Sequence, residues 1–121
     1  MTQTTTLFQR LGGTAGVTAI ASDVVDAHLV NPLIKQRFLE SDPAALKDLV
    51  RDFVSAGTGG QAQYGGRDMR AAHLGLNINE RELVAAIDDI LGVLDRHGVD
   101  SGSRAEMLAI LYSFQDEELF L

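Results

Sequence analysis

From Val17 to Phe114 the apolar residues recur at three- and four-residue intervals, and no stretch alternates apolar and polar residues as a half-buried strand would. A chain patterned this way buries its apolar side chains by packing helix on helix. Val17, Ile20, Ala21, Val24, Val25, His28 and Leu29 form one stripe, closed by Asn31-Pro32 because the residue before proline is pushed out of the α region. A short segment with Ile34 and Phe38 follows. Asp42-Pro43 then starts a second stripe of Leu46, Leu49, Val50, Phe53 and Val54. Asn79 and Glu82 have the spacing of a capping box, with Ile78 and Leu83 at the staple positions. Leu83, Ala86, Ile87, Ile90, Leu91 and Leu94 make the third face, and His97-Gly98 fits its end. Ser101 or Ser103 is the expected cap of the last helix, with Met107, Ile110, Leu111 and Phe114 on its inner face. The fold class is all-α, with four main helices.

Two features do not follow from helix packing. Gly12-Gly13 marks a sharp turn after the short apolar start of Leu7, Phe8 and Leu11. The stretch from Gly57 to Gly66 holds five glycines (57, 59, 60, 65 and 66). A brief helical turn, about 68–74, comes after it and carries Met69, Ala72 and His73, with Gly75 to stop it. Something specific is positioned there.

A length of 121 residues suits one domain, expected over 7–121 after a polar tail of residues 1–6. Aromatic residues are only 6% and Trp is absent, so the core is aliphatic or is completed by a bulky group that is not protein. The absence of cysteine excludes disulfides, thiolate metal sites and a Cys nucleophile. A net charge of −7 argues against nucleic acid or an anionic membrane surface as partner. No apolar run is long enough to cross a bilayer, and Met1 to Thr6 has no secretory pattern, so a cytoplasmic protein is expected.

Of the three histidines, His97 reads as a helix-end cap and His28 as a half-buried histidine on an apolar stripe. His73, on its short helix after the glycines, is read either as a metal or cofactor ligand or as an ordinary surface residue. No HExxH pair, P-loop lysine or nucleophile elbow is present. Acidic pairs such as Asp88-Asp89 read as solvated helix faces.

The residues Leu11-Gly12-Gly13, Asn31-Pro32 and Phe38, followed by Gly59-Gly60, Tyr64, Gly66, Met69 and His73, resemble the group I truncated haemoglobins without a gap. The resemblance runs from about Leu7 to Phe114. It implies a two-over-two helical sandwich around haem b, with His73 on the iron and its second ring nitrogen bound to a backbone carbonyl. It implies that Phe38 stacks on the haem. Leu46, Val50, Met69, Ala72, Ile78, Leu83, Ile87, Ile90, Met107 and Leu111 would line the slot, and Tyr64, Arg67 and Arg70 are candidates for the propionate rim.

The family places a tyrosine and further polar residues on the distal side, where this chain has Val25, Leu46 and Val50. His28, one turn beyond Val25, is the polar group on that helix face and a candidate for the distal pocket. The implied function is binding of a diatomic gas (O2, CO or NO), with a reductase as a further partner and the oligomeric state open. The alternatives are an NO dioxygenase or peroxidase-like haem enzyme, and a helical interaction module without haem.

Overall fold

Thr6 Oγ1 accepts the N–H of Gln9 at 3.1 Å, and Gln9 Oε1 accepts that of Thr6 at 3.0 Å. This reciprocal cap starts the single turn α1 (Leu7–Arg10). The computed structural model describes residues 5–60, 76–117 and 119. In it α1 leads to α2 (Gly13–Val30), a 3-10 turn (Lys35–Phe38), α3 (Pro43–Gly57), α4 (Glu80–Arg96), α5 (Ser101–Ser113) and a closing 3-10 turn (Gln115–Glu117). The glycines at 65 and 66, the turn expected about 68–74 and Gly75 lie outside the described residues.

The chain reverses between α1 and α2 through Gly12 and Gly13, both at positive φ (103° and 67°). Gly16 completes the reversal: a Cβ there would drive into the carbonyl oxygen of Leu11. The stripe expected on α2 is its buried face, with Val17, Ile20, Ala21, Val24 and Val25 all inside. α1, α3, α4 and the 35–38 turn pack on this helix, while α5 packs on α4 and α1. The main core joins Leu7, Leu11, Val17, Ile20, Val24, Val93, Leu94 and Met107.

The expected caps hold. Asp42 accepts the N–H of Ala44 ahead of Pro43, Asn79 and Glu82 close their capping box, and Gly98 follows the His97 cap with φ 71°. The start of α5 differs from expectation. Asp100, not Ser101 or Ser103, is the cap, and its carboxylate accepts the N–H and the hydroxyl of Ser103 at 2.9 and 2.8 Å. Ser103 is fully buried, so its hydroxyl needs a partner and the carboxylate provides one.

Gly59 and Gly60 have a packing role as well. Gly59 has φ 99°, and Cβ atoms at 59 and 60 would meet Thr6 at 3.1 Å and the Phe8 ring at 2.8 Å. The Phe8 N–H donates to Thr58 O at 2.8 Å, which binds α1 to the end of α3. The regular structure of the described residues is helical, with one isolated bridge between Ile78 and Leu119. No helix among them is long and apolar enough to cross a membrane.

The same substitution at two helical glycines should have opposite signs. Gly92→Ala meets no neighbour within 4 Å, so it should stabilise by about 0.5–1 kcal/mol through helix propensity. Gly16→Ala should destabilise by roughly 1–3 kcal/mol through overpacking. Urea unfolding of the two variants beside the parent chain measures both.

Candidate functional site

The positions expected on the distal side lie on α2 and α3, which pack together. Val25 is completely buried, and Leu46 and Val50 on α3 are half-buried. Lys47 Nζ on α3 pairs with Asp26 Oδ1 on α2 at 2.8 Å, at the surface of the two helices. Although α3 carries a strong apolar stripe, Ser55 is its one fully buried residue among those described. Of the expected stripe, Leu46, Val50, Phe53 and Val54 are half-buried, whereas Leu49 is exposed and lies off the inward face. Near its end α3 meets the end of α5, where the Phe53 and Phe114 rings lie 5.6 Å apart at 59°.

α4 contributes Leu83 and Ile87, which are 6% and 3% exposed, and half-buried Ile90. Ile78 and Leu111 are half-buried, while Met107 sits in the main core cluster. Tyr64, Arg67, Met69, Arg70, Ala72 and His73 lie outside the described residues.

The 35–38 turn carries half-buried Phe38, and two polar networks reach α4, one from this turn and one from the end of α2. Arg37 Nε and Nη2 donate to the two Glu82 oxygens at 2.7 and 2.8 Å, and Nη1 donates to the carbonyl of Leu76 at 2.6 Å. The Arg37 hydrogen bond, helped by the Asn79 N–H, holds the Glu82 carboxyl below the usual carboxylate range against partial burial. The second network starts from His28, whose Nδ1 lies 2.8 Å from Asp89 Oδ2. Asn31 Nδ2 donates to both Asp89 oxygens at 3.1 and 3.0 Å. The His28 ring lies along Phe38, centroids 5.8 Å apart and planes within 11°. His97 Nε2 lies 2.7 Å from Asp23 Oδ2, so this cap also ties α4 to α2.

Sequence reading missed the roles of Arg37 and Asp89. Asp89 was grouped with Asp88 as a solvated face. Asp88 is exposed, whereas Asp89 is half-buried and holds two partners. Their separations of 45 and 61 residues leave no local signal.

Leu46, Val50, Phe53 and Val54 leave α3 with an apolar stripe that its neighbours cover only in part, a surface suited to a largely apolar group. Comparison with known proteins decides which group. The model of the bacterial-like globin family matches residues 6–119. The group 1 truncated hemoglobin of Synechocystis is 31% identical over 109 residues, covering 87% of this chain and 88% of that one. The chain belongs to the bacterial-like globins and is a group 1 truncated haemoglobin.

A second relative of the same group, from Chlamydomonas moewusii, is 27% identical and covers 93% of this truncated haemoglobin and 67% of its own length. The ferric truncated hemoglobin of Tetrahymena pyriformis superposes with TM-score 0.93 at 23% identity, covering 97% of this chain and 100% of that one. The 2/2 hemoglobin of Synechococcus, solved with covalently attached heme, superposes with TM-score 0.85 at 25% identity, covering 93% and 95%. The fold of this truncated haemoglobin is therefore the two-over-two helical sandwich, and its cofactor is haem.

The Glu82 pair sets a pH dependence. A carboxyl depressed in the folded state stabilises fully above its unfolded pKa and loses that contribution as pH falls through its folded value. Stability in urea should therefore drop below about pH 4.5. Glu82→Gln should make this acid loss shallower without removing it, since Asp100 and Glu106 are held low by Ser103 and Arg10.

Proposed function

We propose that this truncated haemoglobin binds a diatomic gas at haem iron held by His73, against a distal wall of Val25, Leu46 and Val50. What supports the reading is the apolar character of these positions: Val25 is wholly buried on α2, and Leu46 and Val50 are half-buried on α3, which packs on α2. Haem supplies an iron with a coordination position for a small ligand. Phe38 stacks on the haem, Ile78, Leu83, Ile87 and Leu111 line the slot, and Met69 and Ala72 stand with His73 on the other side. Tyr64 lies at the rim. Residues 7–121 act as one haem domain, in the cytoplasm, with a reductase to return the iron to its gas-binding state.

Two of the three histidines are engaged by carboxylates, His28 through Nδ1 and His97 through Nε2, and His73 is taken as the iron ligand on the family likeness. The wall offers no side-chain donor from Val25, Leu46 or Val50. A hydrogen bond to a polarised ligand contributes roughly 1.5–3 kcal/mol. Its absence speeds O2 release by about tenfold to a hundredfold relative to a site with a donor, and affects CO much less.

Absorption spectra of the purified protein with haem, oxidised, reduced and then under CO, test the assignment beside His73→Ala. A Soret band that shifts on CO binding and is lost or strongly altered in His73→Ala is expected. A protein that takes up no haem, or a band indifferent to His73→Ala, overturns it. Leu46→Gln should slow O2 release by about tenfold or more if the wall lacks a donor, as read by stopped-flow displacement with CO. Rapid NO consumption in air would instead mark an NO-converting enzyme.

A further inference from the structure

His28 stands next to the distal wall, yet its geometry turns it toward a different task. Asn31 Oδ1 accepts the N–H of Leu33 at 3.0 Å, which fixes the orientation of the amide. Its NH2 group must then face Asp89, and it donates to both carboxylate oxygens. An Asp89 held as acceptor by Asn31 requires a donor from the imidazole, so Nδ1 of His28 carries a proton whether the ring is neutral or charged. The ring cannot turn over without losing that bond. The two side chains of the pair are only 12% and 18% exposed, so water replaces the bond poorly.

The fixed plane is passed on. Phe38 lies within 11° of parallel to His28, and it sits on a short turn whose neighbours Gln36, Arg37 and Leu39 are exposed. Arg37 anchors the turn to Glu82 and Leu76, and alongside the Phe38 ring lies the imidazole, whose own orientation is dictated from α4. The chain of contacts runs from Leu33 N–H through Asn31, Asp89 and His28 to Phe38.

We propose that His28 is a positioning residue for Phe38 and acts on the gas site through that ring, not by touching the bound gas. The proposal rests on the gas-binding reading above. It makes a distinct statement about selectivity. A histidine donating directly to a ligand would discriminate O2 from CO, whereas a histidine that sets the pose of Phe38 alters the space available to every small ligand alike.

The test uses the reduced, CO-bound protein and four variants: His28→Gln, Asp89→Asn, Phe38→Leu and the double variant His28→Gln/Phe38→Leu. Proton NMR of the Phe38 ring reads its pose, because the haem ring current makes those shifts depend on geometry. Stopped-flow reads CO association and O2 release. His28→Gln and Asp89→Asn should both displace the Phe38 signals. Each should change CO association by at least about twofold, the lower end of coupling between contacting residues. In the Phe38→Leu background the His28→Gln effect should vanish.

Unmoved Phe38 signals overturn the proposal, even if the melting temperature falls. An effect of His28→Gln on O2 release that persists undiminished without Phe38 also overturns it, and makes His28 a direct contact. Should the parent protein take up no haem, the gas-binding reading fails separately. The Phe38 signals recorded without haem, where the imidazole ring current remains, then decide whether His28 and Asp89 hold the ring.

Discussion

Burial of one helix face organises this chain. Along α2, Val17, Ile20 and Val24 enter the main core, while Val25, the next residue, is buried outside that cluster. Successive residues on a helix are separated by about 100°, so adjacent valines serve two different spaces. One supports the fold and the other walls the proposed gas site. The elements that close on α2 are thereby placed without further instruction: α3, α4 and the 35–38 turn all pack on it. A haem protein with few aromatics depends on such an arrangement, because the cofactor supplies the bulk its side chains lack.

Much of this architecture was legible in the sequence because it is locally encoded. The stripes of α2, α3 and α4 follow from three- and four-residue spacing. Asp42-Pro43, the Asn79 and Glu82 pair, and His97-Gly98 each mark a helix end within a few residues. The cap of α5 was misread because Ser101, Ser103 and Asp100 are all good cap residues at adjacent positions. The choice was made by burial of Ser103, which places its hydroxyl where the carboxylate is its partner.

The site was legible only in part. The apolar character of Val25, Leu46 and Val50 could be read directly, and the assignment of His73 came with the family likeness. The Arg37–Glu82 and His28–Asp89 pairs could not be read. Nothing local tells which of 17 acidic residues a given cation will meet across a fold, and Asp89 differs from Asp88 only in the face it takes on α4. Gly59 and Gly60 raised the opposite problem. Their close fit to Thr6 and Phe8 gives them a reason to be glycine that is independent of any ligand.

Asn31 also bears on how freely the chain can vary. Ending a helix before Pro32 is a task many residues can perform. Receiving the Leu33 N–H while donating to Asp89 is not. Aspartate would set two carboxylates against each other. Serine and threonine are too short to serve both partners, and glutamine moves its amide one methylene away. A position that looks like generic punctuation is thus narrowed to one side chain by the two partners its amide serves at once.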